Sequence, residues 1–255
     1  MSGARTTRRS ILYRGPAAFA GLLLGGCDRL SRSARFQRVL DSAEELTYHA
    51  QRVFVGRTAL AREFTEADLS PVFRSNGTFM PATAQYRSLL ARGFADWRLA
   101  VAGAVERPLQ LSLEDLRRMP ARTQITRHDC VEGWSAIGKW TGVPLHAVLQ
   151  LARLRSAARY VVFYCADELE PGQPYYESID LIDAFHPQTI LAYALNDRQL
   201  PVANGAPLRL RIERQLGYKH AKYLMRVEAV ERLDDIRGGK GGFWEDRGYQ
   251  WYAGI

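Results

Sequence analysis

What most constrains the fold of this chain is a succession of short segments with strand-like, two-residue periodicity, broken by turn residues and short helical stretches. Trp97-Arg98-Leu99-Ala100-Val101 alternates and reads as a strand, and Glu106-Arg107-Pro108 turns the chain into a second, Leu109 to Leu111. Ser112-Leu113-Glu114-Asp115 opens a helix capped by Ser112, which stops before Pro120. Strands follow over Thr123 to Cys130 and over Arg159 to Tyr164, the latter rich in β-branched and aromatic residues, with a helix over Pro144 to Ala152 between them. Ala82 to Gly93 suits an earlier helix ended by glycine, and Lys222 to Arg232 a last strand. Leu208-Arg209-Leu210-Arg211-Ile212 alternates cleanly, which predicts an apolar face and a solvated arginine face. This is an α+β chain weighted towards β. With 255 residues, 47% apolar and 24% charged, it can bury the core of one compact domain.

The N-terminal stretch has another character. Thr7-Arg8-Arg9-Ser10-Ile11-Leu12 sets two arginines before the apolar run Gly15 to Gly26, the layout of a twin-arginine export signal, and that run is too short to span a bilayer. It ends in Leu24-Gly25-Gly26-Cys27, which resembles a bacterial lipobox with Cys27 as the lipidated residue. The expected organisation is therefore a signal over 1–26, a tether with one or two surface helices over 27–70, and a single domain over 71–255. The expected location is the periplasm or cell envelope, anchored by lipid to the inner membrane. Of the net charge of +8, four positive charges (Arg5, Arg8, Arg9, Arg14) lie in the signal, leaving a mild excess that does not imply nucleic acid.

Three cysteines, Cys27, Cys130 and Cys165, exclude a stapled mini-protein and any four-cysteine metal site. Cys130 ends a strand, and His128, Cys130 and Glu132 share a face if the strand continues. Cys130 can be read as a nucleophile served by His128, as a buried or disulfide-bonded partner of Cys165, or as a thiolate ligand of a metal held mainly by a non-protein group. The first reading is strained, because same-strand neighbours two apart stand roughly 6.5–7 Å apart. Downstream, Asn204 to Leu210 and Gly217 to Lys222 offer an amide, a guanidinium, a glycine turn and lysines, the parts of an anion cradle. Arginines and lysines on strand faces are more often simply solvated. The tail, Gly238 to Gly242 followed by Phe243, Trp244, Tyr249, Trp251 and Tyr252, pairs a glycine stretch with an aromatic cluster.

Cys130-Val131-Glu132-Gly133-Trp134-Ser135, then Trp140 to Leu145, Phe163 to Asp167, His186-Pro187-Gln188-Thr189, Asn204 to Leu210 and Gly217 to Lys222 resemble, in order, the successive segments of the molybdenum-cofactor domain of the sulfite oxidase superfamily. The resemblance spans roughly Asn76 to Val230. It implies a mixed, β-rich sulfite-oxidase-like molybdopterin-binding fold in a single domain, with one molybdenum-molybdopterin per chain. It further implies Cys130 as the metal ligand. Asn204 and Arg209 would contact pterin and phosphate, His220, Ala221 and Lys222 would wrap the phosphate, and Asn76, Phe79 and Met80 would form a loop over the pterin. Cys165 and Asp167 both fall where the family places a polar pterin contact.

Sulfite oxidases follow the ligand cysteine with an arginine-rich segment, whereas this chain places Glu132 there. A carboxylate would repel sulfite and could relay a proton. This resembles the bacterial periplasmic branch that includes the protein-methionine-sulfoxide reductase catalytic subunit. The expected function is oxygen-atom transfer to or from a small-molecule or peptide-borne oxide, with Cys130 and Glu132 as the catalytic pair. Without a Cys-x-x-Cys-His haem motif, electrons are expected to pass through a membrane-bound cytochrome or quinone-linked partner. Two alternatives are a sulfite dehydrogenase and a cofactor-free envelope lipoprotein that binds through its aromatic tail.

Overall fold

A computed structural model describes residues 33–255, so the stretch 1–26 expected to be an export signal, and Cys27, lie outside the described residues. The chain divides into two units at residue 54. The first contains helix α1 (Ala34–Phe54), which begins at Ser33, whose Oγ accepts the N–H of Phe36 at 3.1 Å. Among the described residues no helix is long and apolar enough to cross a membrane.

In the second unit, residues 61–70 form an irregular strap with a single 3-10 turn over Glu66–Asp68. Phe64 N–H bonds the Ile125 carbonyl at 2.8 Å, and Ser70 N–H bonds Ile137 at 3.1 Å. Helix α2 (Ala84–Ala91) follows, started by the Thr83 hydroxyl, which accepts the N–H of Tyr86. Strands β1 (Arg98–Gly103) and β2 (Leu109–Ser112) lead into α3 (Leu113–Arg118), where Ser112 and Asp115 form a reciprocal capping box. Strand β3 (Arg122–Cys130) turns back as β4 (Trp134–Pro144), then come α4 (Leu145–Ala152), β5 (Tyr160–Glu170), β6 (Gln173–Asp180) and α5 (Leu181–Ala184). The chain ends through β7 (Ile190–Leu195), β8 (Arg198–Gln199), β9 (Arg209–Arg211) and β10 (Leu224–Val230).

These strands make two sheets. One runs β2-β1-β10-β5-β6, with β10 parallel to β1 and antiparallel to β5; the other runs β3-β4-β7-β8, with β9 paired to β7. The larger core contains Trp97, Leu99, Val161, Phe163, Leu210 and Val227; a second cluster gathers Trp140, Ile190, Ala192, Leu195 and Leu200, with Phe73 against it. Between β4 and β7 the register shifts at Gly142, where a Cβ would sit 2.2 Å from the Leu191 carbonyl oxygen. Only glycine allows that approach.

Strand periodicity misses β4, β6, β7, β8 and α5. Gly138 and Gly142 interrupt the pattern of β4, and β7 is a uniformly apolar run that periodicity cannot assign. Two expectations are corrected. β3 ends at Cys130, so Glu132 sits in the turn 131–133 instead of continuing the strand face. Arg209 and Arg211 are not on a solvated face, because both faces of β9 are covered and both side chains are fully buried.

Trp97 is fully buried and its indole N–H reaches the Leu224 carbonyl at 3.1 Å. Trp97→Ala should lower stability by about 3–5 kcal/mol, read as a lower urea midpoint at unchanged slope.

Candidate functional site

Alternation along β3 turns Gln124, Thr126, His128 and Cys130 inward. Cys130 is buried, and a tight turn with Gly133 at φ +83° follows it, closed by the Gly133 N–H on the Cys130 carbonyl at 3.1 Å. Burial pushes the Cys130 thiol above its ordinary pKa, against the backbone N–H groups of Glu132 and Val131 and the charge of Arg209, all of which favour the thiolate. A cation bound to sulfur would complete that deprotonation. Glu132 turns beside it and accepts the Trp134 indole N–H at 2.9 Å.

Cys130 opens onto a cavity of about 210 Å3. Its lining is polar at Asn76, Glu132, Asp167, His220 and Lys222 and aromatic at Tyr175, Tyr218, Trp244 and Tyr249. Lys222 pins the loop that carries Asn76, since its ammonium donates to the carbonyls of Thr78 (2.5 Å), Asn76 (2.6 Å) and Ala203 (2.9 Å). Burial and the neighbouring Arg209 pull its pKa down to about 7, against the charges of Asp167, Cys165 and Glu132. Burial likewise raises the Asp167 carboxyl to about 6, against Lys222 and a hydrogen bond to Thr78.

Behind this wall lie two buried guanidinium groups against the Trp140 ring, Arg209 at 5.0 Å and Arg211 at 4.5 Å. Arg211 is neutralised, donating through Nε at 2.9 Å and Nη2 at 2.5 Å to Glu213. Arg209 donates only to carbonyls, those of Asn204 (2.9 Å) and His220 (3.3 Å), and burial pulls its pKa down to about 9. Gly205, at φ +111°, leaves room for this packing: a Cβ there would meet Lys222 Cβ at 3.0 Å and Arg209 Cβ at 3.1 Å.

The two histidines are neutral for separate reasons. His128 Nδ1 accepts from Arg211 Nη1 at 2.9 Å, so its proton is on Nε2, and burial holds its pKa well below the usual value. With its lone pair taken, His128 is no base for Cys130. Burial also holds the His220 pKa well down; its Nε2 donates to the Gln215 carbonyl at 3.0 Å, leaving Nδ1 as a lone pair.

Several buried polar atoms find no partner within the protein. Asn204 Nδ2 and Arg209 Nε are donors; Asn76 Oδ1, Asp167 Oδ1 and His220 Nδ1 are acceptors. Such atoms are costly unless a ligand meets them. A group that combines an anion with N–H donors, as a pterin phosphate does, satisfies both sets, and a thiolate metal ligand stands at the same cavity. The residues present fit molybdopterin.

The structure thus brings together Asn76, Cys130, Glu132, Asp167, His220 and Lys222, with Arg209 and Asn204 behind them. It separates the pair Cys165 and Asp167: Asp167 lines the cavity, whereas Cys165 lies in the core, and both Cys130 and Cys165 are free thiols. Phe79, 67% exposed, lines a neighbouring open groove with Glu132, Trp134 and Asn204; Met80 is exposed and lines neither. Ala221 is buried, with its N–H on Lys219 and its carbonyl accepting from Leu210. Sequence reading missed Arg211, because alternation suggested solvent, and Tyr175; it found Trp244 and Tyr249 only as part of the aromatic tail, without placing them at this cavity.

Residues 88–235 match the profile of the family described as oxidoreductase molybdopterin binding domain. Over 160 residues the chain is 43% identical to an Azospira oryzae protein named, provisionally, as the protein-methionine-sulfoxide reductase subunit YedZ1. The match covers 63% of this chain and 56% of that relative, so the chain spans little more than half the relative's length. The crystal structure of the sulfane dehydrogenase SoxCD from Paracoccus pantotrophus superposes with a TM-score of 0.51 at 23% identity, over 56% of this chain and 40% of that one, a likeness of fold.

The raised pKa of Asp167 sets a sign for stability. Its folded value lies above the unfolded 3.8, so the neutral form's contribution is complete below pH 4 and lost as pH rises through about 6. Unfolding of the apoprotein in urea should therefore show wild type losing on the order of 3 kcal/mol relative to Asp167→Asn between pH 4 and 7.

Proposed function

The chain belongs to the family of oxidoreductases with a molybdopterin-binding domain, and from that premise we propose that it transfers an oxygen atom from a sulfoxide or related oxide in the cell envelope. The observation that carries this reading is the buried, carboxylate-free guanidinium of Arg209 beside the orphaned Asn204 amide, close behind the Cys130 thiol.

In this reading Cys130 is the metal ligand, and Arg209, Asn204 and Lys222 face the phosphate. Asn76, Asp167 and His220 offer acceptors to the pterin N–H groups. The bound cofactor supplies two-electron oxygen-transfer chemistry. The protein holds it rigidly, since Lys222 fixes the Asn76 loop and Arg211, held by Glu213, fixes the Arg209 stack. Glu132 stands at the mouth, where the cavity meets the neighbouring groove, and would deliver the proton to the departing oxygen. That carboxylate and the aromatic residues lining the same cavity favour an uncharged oxide over the sulfite anion.

The name of the Azospira relative, a reductase subunit, supports a sulfoxide substrate and a separate redox partner. A membrane-bound cytochrome or quinone-linked protein suits a chain whose sequence carries a twin-arginine pattern and a lipobox at Cys27.

Protein matured in export-competent cells should carry about one molybdenum per chain and oxidise reduced viologen on addition of methionine sulfoxide. Cys130→Ser should lose both; turnover by that variant would overturn the assignment. Glu132→Gln should keep its metal and lose about a hundredfold in kcat. Sulfite-dependent cytochrome c reduction without sulfoxide turnover would instead make the protein a sulfite dehydrogenase.

A further inference from the structure

The C-terminal segment, residues 238–255, lies beyond the family match, which ends at residue 235. It is bound closely to the rest of its unit. Phe243 N–H bonds the Tyr176 carbonyl at 3.0 Å, Leu216 N–H bonds Ala253 at 2.9 Å, and Ile255 N–H bonds Arg214 at 3.1 Å. The Tyr218 hydroxyl donates to the Gln250 carbonyl at 2.6 Å, and the Tyr176 hydroxyl to Asp246 at 2.5 Å.

Its firmest tie is a dry charged cluster. Lys219 is fully buried, and its ammonium is shared between Glu177 and Glu245, the latter at 2.6 Å. Burial and the neighbouring Glu245 raise the Glu177 carboxyl well above its ordinary range, against the pull of the Lys219 ammonium. Each member adjoins a cavity wall in the chain. Glu177 stands two residues after Tyr175, Lys219 lies between Tyr218 and His220, and Glu245 follows Trp244.

The rings so placed form a connected series. Phe243 meets Trp244 at 5.4 Å, Trp244 meets Tyr249 at 5.2 Å, and Tyr249 meets Tyr218 at 5.2 Å. Trp244 and Tyr249 keep part of their surface open while lining the same cavity as Cys130. An aromatic face carries negative quadrupole density, which disfavours an anion and attracts a polarisable sulfur.

We propose that Trp244 and Tyr249, clamped by the Glu177–Lys219–Glu245 cluster, are the specificity-determining wall of the site and select uncharged groups with a thioether skeleton, the sulfoxide substrate and its thioether product, over anions. This rests on the oxygen-transfer reading, and it assigns the C-terminal segment to substrate recognition, with Lys219 as a positioning residue.

The test is titration calorimetry of the molybdenum-loaded protein with N-acetylmethionine amide, an uncharged thioether, and separately with sulfite. Trp244→Ala should weaken thioether binding about tenfold without weakening sulfite or lowering molybdenum content, and Trp244→Phe should restore most of it. Lys219→Met should weaken the thioether with Trp244 intact and speed amide exchange over residues 241–250. If Lys219→Met fails to fold, the two Trp244 variants decide alone. Equal thioether affinity in wild type and Trp244→Ala overturns the proposal, even with sulfoxide turnover intact. Trp244-dependent thioether binding in a protein that reduces no oxide would support the wall and refute the oxygen-transfer reading instead.

Discussion

Arg209 is a guanidinium with no exposed surface, stacked on Trp140 beside a second buried guanidinium, and hydrogen-bonded only to main-chain carbonyls. Burying a cation without a carboxylate is among the costlier things a core can do. Arg211 shows the ordinary remedy, a close pair with Glu213. Arg209 has none among the described residues. Much of the surrounding structure serves to hold it there: a three-residue strand covered on both faces, a glycine whose missing Cβ lets two cationic side chains approach, and the Asn204 and His220 carbonyls turned towards it. In the proposed reading, an anion delivered by a ligand would offset that cost, and the burial of Arg209 would serve binding.

The site is assembled from distant parts of the chain. Asn76 is held by Lys222, the Cys130 turn closes β3, Asp167 stands on β5, and Trp244 comes from the C-terminal segment. Bringing them together requires both sheets, including the late insertion of β10 between β1 and β5. Such long-range closure is costly in chain entropy. It also makes the cavity a property of the complete fold, so that core damage far from Cys130 disturbs the site.

Parts of this were legible in the sequence because their signals are local. Ser112 and Asp115 announce α3 through capping chemistry, and alternation from Thr123 to Cys130 announces β3 together with the thiol at its end. The order of motifs around Cys130, Asn204, Arg209 and Lys222 carried the family resemblance. What stayed hidden depends on tertiary cover. The same alternation that finds a strand puts Arg209 and Arg211 in solvent, since nothing local says that both faces of β9 are packed. Cys165 and Asp167, both buried and two residues apart on β5, differ only in what the cavity reaches. The aromatic tail carried no pattern beyond its composition, and its place in the cavity wall depends on partners at Glu177 and Lys219.

The central claim is that Arg209 is kept at the expense of the empty fold for the sake of a bound anion. Arg209→Met tests it through two readouts on one variant: the unfolding midpoint of the apoprotein, and the pterin released from protein matured in cells. The account predicts an apoprotein at least as stable as wild type that no longer retains pterin. An apoprotein made much less stable, with pterin retained at the wild-type level, would contradict it.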